Sequence, residues 1–434
     1  MPPRINKNDK AWNKIFEERG LLVEIERQGF VLISSQDLNQ IGEREARLLA
    51  KQDTKKGRPR IFRDNNLSML PVENGRYAIF KDPETKTYYT ISHLLTDIEV
   101  EEYHVTTDFS AYDTIDSEII TTESQAIDYA YIVSLIKTIT GEPELLQTIR
   151  GRYRSENFSI RITSINQSLN ISGVQIEIDA GFESPDTIFL FEAKQGVPDD
   201  FNIRQLLFPF KDWSSKTRKT IIPIFFVYTN GLYYFLQFRF QEDYGNLQLI
   251  QKRCFTINEP IKQHINLHRL FETIQMSTEP PVTFPQANDL NKVIDIVTNF
   301  AAGVTNKSEI VDLFNFEGRQ GDYYADAAIY LGLLKRHTAR RSVFELTPEG
   351  EFVAKSQKRS QRNLFLLKQL IKTPCFNEIL HLFIEKEYDI SRMDSEEITP
   401  IIQRYHRLSG TTPGRRSSTV TSWLHWMKDN MDFD

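Results

Sequence analysis

The sequence predicts an α+β multidomain fold, in which a central mixed sheet flanked by helices lies between an N-terminal α/β domain and a C-terminal helical domain. Three observations predict it. At 434 residues the chain exceeds one ordinary domain, and 40% hydrophobic and 12% aromatic content can fill several cores. Between Phe158 and Phe240, short apolar or alternating runs are interrupted by one helix-like stretch, the order of a sheet with at least one parallel pairing. Beyond Pro285 the apolar residues recur almost wholly at helical spacing. Domain limits are expected at 1–115, 116–275 and 286–434, with 277–285 (STEPPVTFP) as a linker.

Taken in order, residues 9–20 read as a helix that puts Trp12, Ile15 and Phe16 on one face. An apolar run, 29–33, follows, then a helix over 43–52 and the basic loop 55–60 (KKGRPR). Residues 76–80 and 88–92 read as two strands joined by a turn rich in Asp, Pro, Glu and Lys. A helix is expected over 125–138. After the polar stretch GRYRSEN at 151–157, strands are expected at 158–162 (the first of the core), 174–178, 187–192, 220–228 and 233–240, with a helix over 200–213.

In the third region, 305–314 and 316–334 predict a helix, a glycine-containing turn and a second helix. Basic residues 335–341 and a short strand, 343–346, come next. That is the order of a helix-turn-helix with a β wing. Two further helices are expected, over 395–407 and from 412.

Composition narrows the chemistry. The net charge is −6, yet 40–64 and 335–372 are locally basic, and a basic face can coexist with an acidic metal site. Two cysteines, Cys254 and Cys375, are too few for a disulfide framework or a cysteine-built zinc cluster, and they fit a reducing compartment. The first ten residues lack the apolar core of a signal peptide and no apolar run approaches a membrane span, so a cytoplasmic location without membrane contact is expected. No GxxxxGK[ST], GxGxxG or serine or cysteine nucleophile motif occurs, which leaves nucleotide-driven and Rossmann-cofactor functions unsupported.

The chemistry-bearing pattern is Gln175-Ile-Glu-Ile-Asp179, a turn, and Thr187-Ile-Phe-Leu-Phe-Glu-Ala-Lys194. Strand alternation sets Asp179 apart from Ile176 and Ile178, and sets Glu192 and Lys194 apart from Phe189, Phe191 and Ala193. A hairpin brings Asp179 towards Glu192 and Lys194. Glu177 falls about 7 Å behind Asp179. Two carboxylates and a lysine suit phosphodiester hydrolysis: Asp179 and Glu192 offer the hard oxygens that Mg²⁺ prefers, and Lys194 can orient water and stabilise charge on phosphorus. Asp186, inside the turn six positions before Glu192, is expected to point away.

With Asp179 as its acidic residue and Glu192-Ala193-Lys194 as its ExK, this pattern resembles the PD-(D/E)xK nuclease signature, with Ile178 in place of the signature's proline. The longer run IEIDAGFE…FEAK…FNIRQLLFPFKDW…FFVYTNG resembles a group of type II restriction endonucleases. The resemblance covers most of the middle region. It implies a PD-(D/E)xK nuclease core, Mg²⁺ as cofactor, double-stranded DNA as substrate, and a cognate DNA methyltransferase as the genetic partner of a restriction-modification system. It also places polar Arg204 and Gln205 on the helix after ExK.

DNA contacts are expected from Arg58 and Arg60 in the basic loop, from Arg152, and from Arg204 and Gln205. The start of the second helix of the third region adds Arg319, Gln320 and Tyr323, and the start of the last helix adds Arg415 and Arg416. Double-strand cutting favours a homodimer with C2 symmetry. Two other readings fit the same residues: a non-catalytic DNA-binding regulator on a nuclease-like fold, and a nuclease that requires a methylated base.

Overall fold

The protein is described by a computed structural model covering residues 6–96, 98–109, 112, 114, 120, 122–241, 244–301, 305–314, 316, 320–337, 342–356, 358–406 and 412–434. It is α+β, with an extended mixed sheet and many helices.

Residues between Ala11 and Ile79 build a core of their own. Trp12, Ile15 and Phe16 of the helix Lys7–Arg19 meet Phe62 and a three-stranded antiparallel sheet of Phe30–Ser34, Arg76–Lys81 and Leu67–Glu73. Asn6 caps that helix by accepting the Asp9 N–H, and Gly20, at φ 60°, ends it. The hairpin expected between 76–80 and 88–92 does not form. Asp82 turns the chain away, accepting the N–H groups of Lys86 and Thr87 and the hydroxyl of Ser68. Tyr88–Thr90 pairs instead with Asp200–Asn202. The helix expected over 200–213 therefore starts later, at Arg204.

The central sheet has seven strands, labelled here in chain order: β1 Val100–Tyr103, β2 Leu146–Arg154, β3 Gln175–Glu183, β4 Thr187–Gln195, β5 Thr220–Thr229, β6 Leu232–Phe240 and β7 Leu247–Ile257. Their spatial order is β1-β7-β6-β5-β4-β3-β2. The β1–β7 and β4–β5 pairs are parallel and the others antiparallel. Helix α3 (Arg204–Lys216) makes the crossover that the parallel β4–β5 pair needs. Helices α1 (Glu123–Ile132) and α2 (Leu135–Thr140) cover the opposite face. Alternation along β5 sorts the two cores: Ile224, Phe226 and Tyr228 face α1 and α2, while Phe225 and Val227 face α3.

Several expectations are corrected. Residues 158–162 form a strand but lie outside the central sheet: Phe158–Ile162 pairs with Gln167–Ile171 in a separate hairpin. One sheet edge is β2, which ends inside the polar stretch 151–157. Half-exposed edge strands carry little apolar signal, and Arg150, Arg152 and Arg154 recur there every second residue. The helix expected over 125–138 is two helices, broken at Ser134 in the left-handed region (φ 66°). Residues 100–103, expected with the first region, join the central sheet beside the unforeseen strand β7.

The third region packs around Trp423, Phe376, Leu380 and Tyr330. Its elements run helix Leu290–Ala301, a bridge pairing Asn306 with Val343, helices Lys307–Phe314 and Gln320–Tyr330, and a hairpin of Leu334–Arg336 with Phe344–Leu346. A buried polar network joins this region to the β5–β6 turn. The Thr229 hydroxyl and the Asn230 N–H donate to Asp295 at 2.6 and 3.2 Å, and the Asn230 side chain meets Asn291, Asn363 and Arg362 at 3.0 Å each. Among the described residues, no helix is long and apolar enough to cross a membrane.

Candidate active site

The hairpin expected around the chemistry-bearing residues forms. β3 and β4 pair antiparallel from Ile188↔Glu183 to Phe191↔Ala180, and there the ladder stops. Beyond it the strands part, and Asp179 closes the gap: its carboxylate accepts the Ala193 N–H at 2.7 Å, a bond the ladder no longer makes.

Plain alternation does not account for the face on which Asp179 lies. Ile178 packs with Ile188 and Leu190, whereas Ala180 and Phe182 pack with Phe189, Phe191 and Ala193. An uninterrupted strand would put residues 178 and 180 together. The register with β2 steps from Gly151↔Ile178 to Ile149↔Gly181, so β3 carries one residue more than its partner at 179–180, and β2 restores the register with one more at Thr148 before Gln147↔Phe182. The bulge in β3 lets Ile178 and Asp179 both face α3. The carbonyl of Asp179 is taken up by Arg150 Nε at 2.9 Å, and the same guanidinium is held by Asp128 of α1.

Glu192 and Lys194 alternate with Phe191 and Ala193 and therefore also face α3. Glu192 is buried, forms an ion pair with Lys194, and accepts a hydrogen bond from the Gln205 amide at 2.5 Å. Together with Asp179, Glu123, Arg204 and Asp53 they line a cavity of about 370 Å³. Glu123, the first residue of α1, accepts the Gln195 N–H at 3.2 Å. Its place is fixed by a capping box between Thr122 and Gln125. Arg204 is held by Asp53 at 2.9 Å. Neither Glu123 nor Asp53 was found from sequence. The box T-E-S-Q was a legible signal for the first; nothing marked the second.

The electrostatics are crowded. Burial pushes the Glu192 carboxyl up to about 8, against the pull of Lys194, with the nearby Asp179 and Glu123 adding to the rise. Burial likewise raises Asp179 and Glu123, opposed in both by Lys194. Burial alone would lower Lys194, but Glu192, Glu123 and Asp179 outweigh it and hold its proton more firmly than usual. One ammonium thus faces three carboxyl groups. In the same pocket, the Gln205 carbonyl oxygen is buried without a hydrogen-bond partner.

The remaining expected residues scatter. Asp186 is exposed in the turn at the far end of the hairpin. Glu177 lines the pocket rim and pairs with Arg152 at 3.1 Å, which puts Arg152 beside the cavity mouth. Arg58 is corrected: its guanidinium is buried over Tyr88 and donates inward to the carbonyls of Leu67 and Lys55, so it is spent on the fold. Arg60 is exposed and pairs with Asp64, away from the pocket. Gln320 begins its helix and Tyr323 is half-buried on it; Arg319 lies outside the described residues. Arg415 is exposed, whereas the half-buried Arg416 turns inward to donate to Gln286 at 3.2 Å.

Three family models match the chain, all described as domains of unknown function: DUF6996 over residues 9–79, DUF6997 over 84–256 and DUF7226 over 292–432. No curated protein and no solved structure matches it.

Proposed function

We propose that the protein is a Mg²⁺-dependent DNA endonuclease of the PD-(D/E)xK kind, acting as a type II restriction enzyme on duplex DNA. One observation carries this reading. Asp179, Glu192 and Lys194 meet on one face of the β3–β4 hairpin, with α3 crossing directly to the parallel strand β5.

The donor set fits a hard divalent cation. Three carboxyl groups are raised together against a single ammonium, and a buried amide oxygen lacks a partner, so positive charge is in deficit there. Asp179 and Glu192 would hold the ion, with Glu123 beside them. When bound, Mg²⁺ polarises the scissile phosphate and lowers the pKa of its water. Lys194, kept protonated, places a fixed positive charge where the phosphorane develops its own negative charge. Gln205 orients Glu192, and Arg204, braced by Asp53, offers a second cation at the pocket wall.

Helix, helix and β-hairpin in 307–346, the winged-helix order, support DNA contact by the third region, and Arg415 and Arg152 supply exposed cations. A cognate methyltransferase to protect the host sites and a homodimer to cut both strands complete the proposal, at a cytoplasmic location. The test is plasmid digestion with Mg²⁺ or with EDTA. Discrete fragments are expected with Mg²⁺ alone, and Lys194→Ala is expected to slow cutting by at least about a hundredfold. Binding without cleavage under any divalent metal, on methylated and unmethylated plasmid alike, would identify a regulator instead.

A further inference from the structure

Far from the β3–β4 hairpin, three side chains from distant parts of the sequence converge in the third region. Glu279 lies on the extended segment before the helix Leu290–Ala301. Cys375 is at the start of the helix Pro374–Glu385, and His406 follows the helix Ser395–Tyr405. Their ligand atoms all lie within 4.8 Å of one another, the one such group among the described residues. His406 Nε2 is 2.9 Å from one Glu279 oxygen, and the other oxygen accepts the Cys375 N–H at 2.9 Å. Cys375 and His406 are buried, with His406 against the rings of Phe284 and Tyr330.

Glu279 thus uses one carboxylate oxygen at the start of a helix and turns the other towards His406. The Cys375 sulfur, fully buried in the core, lies within 4.8 Å of the Glu279 and His406 ligand atoms. Tyr330 is buried, and its hydroxyl lies against Cys375, Glu279 and Thr373. Sulfur, nitrogen and oxygen atoms of three distant segments are thus gathered in one buried place, the arrangement in which binding a cation ties those segments together.

We propose that Glu279, Cys375 and His406 bind one zinc ion, which staples the segment before Leu290 onto the helical region. Sulfur, imidazole nitrogen and carboxylate oxygen together suit zinc and not magnesium. Tetrahedral ligands at zinc bond lengths stand roughly 3.3–3.8 Å apart, within the spread of these three atoms. Thiolate and carboxylate together cancel the ion's charge, and the Tyr330 hydroxyl donates to the thiolate.

Metal analysis of the full-length chain tests this, followed by exchange into Co²⁺ and near-ultraviolet spectroscopy. The expected result is one zinc per chain and a thiolate-to-cobalt charge-transfer band. Cys375→Ser removes the band, while Cys254→Ser and Lys194→Ala keep it and the zinc. Glu279→Gln, which retains the packing and an oxygen acceptor, weakens zinc binding at least about tenfold. No zinc in the wild-type chain, a band that survives Cys375→Ser, or unchanged affinity in Glu279→Gln overturns the proposal.

Discussion

At the scale of single residues, Glu192 carries the most information. It is buried, tied to both Lys194 and Gln205, and lies within the influence of two other carboxyl groups. All three carboxyl groups hold their protons more tightly in the folded chain than in the unfolded one. Between the usual carboxyl value near 4.5 and about 8, the folded state therefore binds more protons, and stability falls as pH rises through that window. The melting temperature of the protein in EDTA is expected to drop between pH 5 and pH 8. Glu192→Gln flattens the drop, and Mg²⁺ offsets it increasingly at the alkaline end. A wild-type profile that rises over this range would show that the pocket is not short of positive charge.

At the scale of elements, the site depends on ends and interruptions. Glu123 is useful because α1 begins there, and α1 begins there because Thr122 and Gln125 cap each other's backbone N–H groups. Thr122→Ala is expected to cost about 1 kcal/mol in a urea titration. It should also slow cleavage, since the neighbouring carboxylate loses its anchor. The same logic explains what could be read from sequence. Asp179 and Glu192-Ala-Lys194 were legible because a turn and two apolar runs leave one economical pairing, and the hairpin forms as expected. β5 and β6, buried on both faces, announced themselves through unbroken apolar runs. β2 did not: an edge strand needs few apolar residues, so Arg152 and Arg154 read as part of a polar stretch. Nor did the pairing of Tyr88–Thr90 with Asp200–Asn202, which joins segments more than a hundred residues apart and is decided by tertiary packing. Arg58 misled for a related reason. A basic loop looks the same in sequence whether its guanidinium meets phosphate or closes over a tyrosine.

At the scale of the whole molecule, the third region is fastened to the central sheet by buried polar groups rather than by a greasy seam. Asp295 sits at the centre, pushed up to about 7 by burial and steadied by Thr229 and Asn230. Buried polar networks are demanding, because removing one member orphans the rest. Asp295→Ala is expected to cost about 1–3 kcal/mol. It should also split thermal unfolding, followed by calorimetry, into two transitions as the helical region comes free of the sheet. A single unshifted transition would mean that the network joins the two parts only incidentally.

The surplus residue in β3 has a consequence of a different kind. Which side of the sheet receives Asp179 is decided by counting, odd or even, and not by the chemistry of its neighbours. Substitution at Ala180 is a change of letter; loss of Ala180 is a change of frame. Ala180→Gly should leave cutting within about tenfold of wild type, because the count is intact. A chain lacking Ala180 would leave the extra residue of β2 at Thr148 uncompensated and the two strands one residue out of step, and either Asp179 or the pair Ile176 and Ile178 would change sides. Cleavage is expected to vanish in that chain even if it folds. Relatives that keep the activity should accordingly vary in sequence across this strand far more readily than in length.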